Sequence, residues 1–376
     1  RVGGGHPWIY ASEIEKVDGA FENGDVVDVC DFRGKFIGRG FYNPQSQISL
    51  RILTRNDEPC DRAFFERRVR DAWEYRKLLC DPESCRLIYS ESDFLPGLVV
   101  DKFGPVLVMQ SLSLGIERIK DMLCDLLMEI VQPAGIWERS DVPVRRLEGM
   151  EQTTGLLRGE VPDRVEMAEN GVRFLVDVKN GQKTGFFLDQ KENRAAIAPL
   201  CRGARVLDCF CHNGSFSLHA AKYGAKSVLG VDISEEALDV ARENARINGL
   251  TSVTFEAHNC FDHLRELTDA GEQFDLVILD PPAFTKNKAA LQSALRGYND
   301  PKAGPEKTDT YAMIQELAGR FRAENGSIIC RELLGLARPE GTPQAEARTP
   351  EYYKKRPCPE LVALAAQFLE EWLAEH

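Results

Sequence analysis

The chain has 376 residues, of which 43% are hydrophobic and 28% charged, which is typical of a globular protein with two or three domains. Its net charge of −12 disfavours nucleic-acid binding over a broad surface, so an RNA site would require a local basic patch. The sequence has no long apolar run and no signal-peptide pattern, which predicts a cytoplasmic protein without a membrane segment. Its eleven cysteines include no C-x-x-C pair, which predicts reduced thiols and no standard zinc site.

The first predicted unit is a small β-barrel at residues 1–56. Short apolar runs between residues 24 and 54 alternate with polar positions and are separated by Gly and Asn-Pro turn signals. This pattern is typical of short antiparallel strands.

Residues 61–175 predict an α+β central domain. Apolar side chains at helical spacing indicate an amphipathic helix over 61–80. Two apolar strands follow at 98–100 and 106–109, and a helical stretch is predicted over 116–131.

From Val206 onward, apolar strands alternate with helices. Strands are predicted at 206–208, 228–232, 253–255 and 276–280, and Ser234 is a suitable N-cap for the helix that follows the second strand. This alternation is typical of an α/β fold with a doubly wound, Rossmann-like parallel sheet.

Polar residues follow each strand of this sheet, where ligands bind in open α/β folds. Gly214 lies in the turn after the first strand, Asp232 ends the second and can accept hydrogen bonds from ribose hydroxyls, and Asn259 after the third can meet an adenine edge. The Asp280-Pro281-Pro282-Ala283-Phe284 loop after the fourth offers an aromatic ring for stacking on a base.

Each of these features alone also has an ordinary structural explanation, such as helix capping by an aspartate or a stiff proline loop. A nicotinamide-dependent dehydrogenase would use the same sheet. However, the single Gly214 lacks the G-x-G-x-x-G pattern that cradles a pyrophosphate, which disfavours that alternative.

Residues 1 to about 299 resemble the bacterial large-subunit rRNA methyltransferases that join a PUA domain, a central α+β domain and a class I methyltransferase domain, the family of the 23S rRNA cytosine-5 methyltransferases. The stretches that carry the resemblance are GHPWIY at 5–10, ESDFLPGLVVDKFG at 91–104, NGQKTGFFLDQKENR at 180–194, LDCFCHNGSFSLHAAKYGA at 207–225, GVDIS at 230–234, DPPAF at 280–284 and LRGY at 295–298.

The resemblance implies a PUA module that grips ribosomal RNA and a domain at 180–299 that transfers methyl from S-adenosylmethionine to a base. It assigns to a loop closing over the cofactor the residues Gln182, Lys183, Thr184, Gly185, Phe187 and Asp189. It assigns to the rest of the cofactor pocket Asp208, Gly214, Asp232 and Asn259.

The sequence departs from the family pattern in two places. Asn213-Gly214-Ser215 stands where the family has Thr-Gly-Gly, and the family's fifth strand with its cysteine motif and its later strands are not recognisable after Tyr298. Residues 308–373 instead resemble the C-terminal half of C-GCAxxG-C-C proteins, which predicts a helical tail over 300–376. A natural fusion and an artefact of the source sequence both remain open.

Cytosine C5 methylation requires a thiolate that adds to C6 and a group that protonates or hydrogen-bonds N3. Asp280 suits the second role by its motif, and Cys330, after a short apolar run, is the candidate thiolate, with a buried structural cysteine as the alternative. The predicted substrate-binding residues are Pro281, Pro282, Phe284 and Lys286.

A chain that contacts RNA should carry basic residues on its surface. Surface arginines that contact only solvent are an equally ordinary explanation of the same residues. The candidates are Arg33, Lys35, Arg39, Arg51, Arg55, Arg139, Arg145 and Arg146. A non-catalytic protein that binds RNA and S-adenosylmethionine is the alternative function, because the catalytic motif is replaced. An open sheet edge after the fourth strand would favour a homodimer.

Overall fold

A computed structural model of the chain describes residues 5–282, Glu316 and residues 319–324. Within these ranges Pro7–Pro282 form one compact unit. No helix among the described residues has the length and apolar character that crossing a membrane requires.

The first part of this unit is a four-stranded antiparallel sheet in the order β1-β4-β3-β2. Its strands are β1 (Trp8–Ile9), β2 (Val26–Cys30), β3 (Phe36–Tyr42) and β4 (Leu50–Thr54). Ile9, Tyr42, Leu50 and Ile52 form its small apolar cluster. The strands coincide with the alternating apolar runs, as the sequence predicts.

Helix α1 (Arg62–Leu79) leads into a five-stranded central sheet. Asp61 caps α1 by accepting a hydrogen bond from the Phe64 amide. The sheet has the order β5-β6-β7-β8-β9, and only the β7–β8 pair is parallel. Its strands are β5 (Ser84–Tyr89), β6 (Leu98–Phe103), β7 (Val106–Ser111), β8 (Gly135–Ser140) and β9 (Thr153–Gly159).

The connection from β7 to β8 is helical, because a parallel pair requires a crossover. The helical stretch predicted over 116–131 forms two helices, α2 (Leu114–Arg118) and α3 (Lys120–Val131), and a short α4 (Val144–Leu147) follows β8. Leu123, Leu126 and Leu127 of α3 are fully buried against the central sheet, which explains the apolar periodicity of this segment.

An antiparallel hairpin of β10 (Val165–Glu169) and β11 (Val172–Val176) connects the central sheet to the last part of the unit. Its inward side chains, including Met167 and Phe174, belong to the same apolar cluster as Leu218 and Val228 of the parallel sheet layer. The hairpin therefore contributes to the core beneath that sheet.

The last part is a four-stranded parallel sheet in the order β14-β13-β12-β15, preceded by two short helices. These elements are α5 (Lys191–Ala196), α6 (Ala198–Cys201), β12 (Arg205–Cys209), α7 (Ser215–Lys222), β13 (Ser227–Asp232), α8 (Glu235–Ile247), β14 (Val253–Ala257), α9 (Cys260–Asp269) and β15 (Leu276–Leu279). The predicted Rossmann-like alternation is confirmed, and Ser234 caps α8 by accepting from the Ala237 amide.

Candidate functional site

The carboxyl ends of the parallel strands gather three aspartates at one edge of the sheet. Asp208 is paired with Gly230 of β13 and Ile278 of β15, Asp232 ends β13, and Asp280 directly follows β15. The register thus brings together residues that are up to 72 positions apart in the sequence (280 minus 208). This edge is where open α/β sheets bind ligands.

Asp208 lies below the surface of this edge, with only 1% of its area exposed. Its carboxylate accepts a hydrogen bond of 2.5 Å from the Ser217 hydroxyl. Burial raises the pKa of Asp208 to about 7, and the negative charges of Asp280 and Asp232 act in the same direction. Asp208 is therefore a proton-holding group near neutral pH, placed under the predicted cofactor site.

Asp232 organises the backbone around the strand ends. One carboxylate oxygen accepts from the His212 amide at 2.8 Å, and the other accepts from the Ser234 amide at 2.9 Å. Each oxygen retains lone-pair capacity, because a carboxylate can accept about four hydrogen bonds. A diol ligand such as a ribose can donate into that capacity.

The turn between β12 and α7 has an unusual backbone. Phe210, His212 and Gly214 all have positive φ angles, of 62°, 50° and 75°. A Cβ atom on Gly214 would lie 2.8 Å from Phe255 and 3.0 Å from Ala241, so only glycine fits this close approach to the sheet. The turn directs the backbone of the α7 N-terminus toward the strand-end edge.

His212 has a buried polar atom that can take part in ligand binding. Its Nδ1 is buried and has no hydrogen-bond partner among the described residues. Burial lowers the pKa of His212, against the opposing influence of Asp232, so the ring is neutral at physiological pH. A bound molecule beside Asp232 can satisfy this orphaned nitrogen.

The predicted cofactor loop lies against this turn, since the ring of Phe187 meets that of His212 edge-on at 5.9 Å. Gln182, Lys183 and Asp189 are exposed, whereas Thr184 and Gly185 are buried. The Lys183 ammonium lies 4.7 Å from the centre of the Phe187 ring. The structure therefore brings the loop together with Asp232 and the Gly214 turn.

Two apolar side chains at the site were missed by the sequence analysis. Ile233 is 75% exposed directly after Asp232, and Phe261 is 48% exposed two residues after Asn259, with its ring 5.5 Å from that of Phe210. Asn259 itself caps α9 by accepting from the Phe261 amide. Large apolar residues immediately after polar strand ends are the signal that would have identified them, because they offer faces to a planar ligand.

Three cysteines line the interior of the strand-end region, and all are buried. Burial raises the pKa of Cys209 to about 12 and also raises the pKa values of Cys211 and Cys260. Because the thiolate is the nucleophile, these thiols are unsuited to attack a substrate. They belong to the apolar clusters of the core.

Several predicted residues follow the end of the compact unit. Asp280, Pro281 and Pro282 are exposed at that end. Phe284, Lys286 and Cys330 lie outside the described residues, as does nearly all of the predicted helical tail.

One group among the described residues has metal-ligand chemistry. The donor atoms of His258, His263 and Glu266 lie within 4.8 Å of one another, and the two imidazole rings stack at 4.4 Å. Exposed acidic groups commonly cluster without a metal ion, so this group by itself does not identify a metal site.

Of the candidate RNA-binding residues, three are used inside the protein. Arg51 bridges Glu91 and Glu148, Arg139 binds Asp141 and the Val178 carbonyl, and Arg145 binds Glu117 and backbone carbonyls. Each is largely buried, so the prediction of phosphate contacts is wrong for these three. Arg39 is half-buried and pairs with Asp28 and Asp57, whereas Arg33, Lys35, Arg55 and Arg146 have exposed side chains.

Comparison with protein families divides the chain into three matches. Residues 1–55 match a PUA-like domain, and residues 138–299 match the S-adenosylmethionine-dependent methyltransferase family. Residues 288–372 match the family described as "Putative redox-active protein (C_GCAxxG_C_C)". The change in resemblance near residue 299 that the sequence analysis identified is thus confirmed.

Curated relatives cover most of the chain. The proteins named Ribosomal RNA large subunit methyltransferase I from Tolumonas auensis and Escherichia coli are 46% identical over 303 residues and 41% identical over 302 residues. Each alignment covers 78% of this chain and 76% of the relative.

Solved structures of the same fold have much lower sequence identity. A protein described as "a putative methyltransferase complexed with SAH" superposes with a TM-score of 0.65 at 20% identity, covering 76% of this chain and 74% of the other. A structure from Streptococcus mutans, described as "a putative sam-dependent methyltransferase", gives a TM-score of 0.64 at 19% identity, covering 78% of each chain. These similarities establish the fold.

Proposed function

We propose, from the premise that the chain belongs to the ribosomal RNA large subunit methyltransferase I family, that it methylates C5 of a cytosine in the RNA of the large ribosomal subunit. S-adenosylmethionine is the cofactor, and the chain is an S-adenosylmethionine-dependent RNA methyltransferase. The choice of cytosine C5 is the finer part of the proposal, and it rests on the resemblance to the 23S rRNA cytosine-5 methyltransferases.

The observation that carries the proposal is the set of groups at the strand-end edge. Asp232 has spare acceptor capacity for ribose hydroxyls, and His212 Nδ1 lacks a partner among the described residues. Ile233 and Phe261 expose apolar surface next to these polar groups, as a purine requires. These polar and apolar groups together therefore fit the adenosine half of S-adenosylmethionine.

When bound, S-adenosylmethionine supplies an electrophilic methyl group. Cytosine C5 becomes nucleophilic enough to accept it after a thiolate adds to C6 and N3 is protonated or hydrogen-bonded. In the proposed role, Asp280 contacts N3. After the methyl group has transferred, loss of the C5 proton and cleavage of the C6–S bond restore the aromatic base and the free thiolate.

The mechanism also requires a cysteine thiolate as the nucleophile. Cys209, Cys211 and Cys260 are buried thiols with raised pKa values, which disfavours all three. Cys330 is therefore the proposed nucleophile, and it lies outside the described residues.

RNA binding is proposed to involve the N-terminal units. The domain boundaries proposed for them are 1–56 for the PUA-like domain and 61–175 for the central domain, with the methyltransferase domain at 180–299. Arg33, Lys35 and Arg146 retain exposed basic side chains in the first two. Contacts from these residues would supply affinity without base specificity.

Methylation of unmodified large-subunit rRNA by the purified chain tests the proposal. With S-adenosylmethionine, nuclease digestion and mass spectrometry should detect 5-methylcytidine. We expect Cys330→Ala to abolish the product while leaving S-adenosylmethionine binding intact, and Cys80→Ala, which removes an exposed cysteine at the end of α1, to retain it.

The other outcomes separate the alternatives. Persistence of 5-methylcytidine with Cys330→Ala would remove Cys330 from the mechanism. A different methylated nucleoside would contradict the C5 assignment. Cofactor binding without any methylated product would favour the non-catalytic function that the altered C-terminal sequence raises.

A further inference from the structure

We propose that Asp101 of the central sheet is a positioning residue for the cofactor, acting through Thr184 in the loop at residues 182–189. The central sheet then forms part of the machinery that sets cofactor affinity. The inference rests on the proposed function only in assuming that this loop contacts S-adenosylmethionine.

The contact joins two buried side chains that are 83 residues apart in the sequence. Asp101 lies on β6 with none of its surface exposed, and Thr184 is 1% exposed. The Thr184 hydroxyl donates a hydrogen bond of 2.6 Å to Asp101 Oδ2. Because the hydroxyl is bonded to the central sheet, we infer that Thr184 affects the cofactor by fixing the backbone of the loop at residues 182–189.

Arg86 completes the arrangement from β5. Its Nε donates to Asp101 Oδ1 at 2.8 Å, and its Nη2 donates to Oδ2 at 3.0 Å. This bidentate pair compensates the buried carboxylate and fixes its orientation. Asp101 therefore presents one defined acceptor direction to Thr184.

Arg86 also interacts electrostatically with Asp189, near the far end of the loop. The hydrogen bond that Arg86 donates to Asp101 is the largest cause that raises the pKa of Arg86, and the charge of Asp189 is a smaller cause in the same direction. At the near end, Arg139 of β8 donates to the Val178 carbonyl at 3.3 Å. The central sheet thus interacts with the segment before, within and at the end of the loop.

The backbone at Thr184 requires such an anchor. Lys183 and Gly185, on either side of it, have φ angles of +53° and +123°. A left-handed backbone at a non-glycine residue such as Lys183 is strained and persists only when its surroundings enforce it. The bond from Thr184 to Asp101 supplies that enforcement, and it leaves Phe187 placed against His212.

Removal of the hydroxyl tests this role. Thr184→Val keeps the side-chain shape and removes one of the two hydrogen bonds that Asp101 Oδ2 accepts. We expect the dissociation constant for S-adenosylmethionine, measured by titration calorimetry on the full chain, to rise at least about 10-fold, which corresponds to about 1.4 kcal/mol. Thr184→Ser restores the donor and should return the value to within about 3-fold of wild type.

Thr54→Val is the matched control. Thr54 is also buried, at 4% exposure, and its hydroxyl also donates to a carboxylate, Glu58, at 2.7 Å, but it lies in the N-terminal sheet. Its loss should lower stability to urea comparably and leave cofactor affinity unchanged. Should Thr184→Val fail to fold, Thr184→Ala against Thr184→Ser provides the same contrast.

The proposal is overturned if the Thr184 variant lacking the hydroxyl binds S-adenosylmethionine as wild type does, if serine does not rescue binding, or if Thr54→Val weakens binding equally. Failure of the proposed function has a different signature, because the wild-type chain would then form no 5-methylcytidine, whatever the relative cofactor affinities of the Thr184 variants.

Discussion

The central domain and the parallel sheet differ in the partners of their carboxylates. In the central domain, Arg76 and Asp93 are each 10% exposed and form a bidentate pair, and Arg86 pairs with Asp101 in the same manner. At the carboxyl ends of the parallel strands, Asp208 and Asp232 have no cationic partner within the described part of the chain. They are bonded to a hydroxyl and to backbone amides instead.

The difference separates structural charges from charges reserved for a ligand. A buried pair compensates most of its own desolvation, whereas a carboxylate without a cation lowers the stability of the fold. Retaining such carboxylates at one sheet edge is reasonable when a bound molecule uses them. Substitutions in the two regions should therefore affect different properties.

The largest effect is expected from breaking a structural pair. Arg76→Met retains the aliphatic stem but leaves Asp93 buried without its cation, which should lower the free energy of unfolding by about 3–5 kcal/mol. Urea denaturation measures this value.

The matched control lies on the same helix. Arg70 forms an exposed pair with Glu66, so Arg70→Met should cost no more than about 0.5 kcal/mol. Equal costs for the two substitutions would contradict the distinction between buried and exposed pairs in this domain.

The next effect concerns Asp208 and pH. Because its pKa is raised from 3.8 to about 7 in the folded state, the folded chain binds more protons than the unfolded chain between these values. This group's contribution to stability is fully present below about pH 4 and is lost as pH rises through about 7. Each pKa unit corresponds to about 1.4 kcal/mol, so the loss is at most about 4 kcal/mol.

Asp208→Asn removes this titration while keeping an acceptor for Ser217. The free energy of unfolding of the variant minus that of wild type should therefore increase between pH 5 and pH 8, as followed by urea denaturation at several pH values. A difference that stays constant over this range would show that Asp208 titrates normally.

A smaller free-energy change, confined to binding, is expected at Asp232. Asp232→Asn should weaken the two hydrogen bonds proposed for the ribose hydroxyls, each contributing about 1.5 kcal/mol when the acceptor is charged, so affinity for S-adenosylmethionine should fall about 100-fold. Calorimetry gives the affinity, and urea denaturation should show a loss of no more than about 1 kcal/mol.

Asp239→Asn serves as the comparison. Asp239 lies on α8 and is 68% exposed in its pair with Arg242, so its substitution should change neither quantity measurably. If Asp232→Asn affected stability as strongly as Arg76→Met, the strand-end aspartates would belong to the structural class after all.

Sequence reasoning located the elements whose apolar pattern is local. Helix α1 and strands β12 to β15 were predicted within a few residues, since their apolar side chains follow one period throughout. Strands β8 and β9 were missed, because segments such as Trp137-Glu138-Arg139 carry polar residues whose partners come from elsewhere in the chain. Apolar periodicity does not predict a strand whose buried polar residues are paired with residues distant in the sequence.

For the candidate site, the order of the strands was enough to select Asp208, Asp232, Asn259 and Asp280. In a parallel sheet the carboxyl ends meet at one edge whatever the loops between them contain. Their side-chain environments were not predictable: Asp208 is buried and Asn259 is exposed, although both lie near the carboxyl ends of strands of the same sheet. Exposure depends on which neighbours cover each strand end.

The sequence by itself determined the fold class, the family and the residues at the strand ends, because these depend on local periodicity and on contiguous motifs. Only the tertiary structure decided which charges are paired, which apolar residues remain exposed beside Asp232, and that Thr184 bonds to Asp101 across 83 residues. The physical reason is that hydrogen bonds and desolvation depend on distances in space, and a single sequence does not specify which distant side chains will share a buried volume.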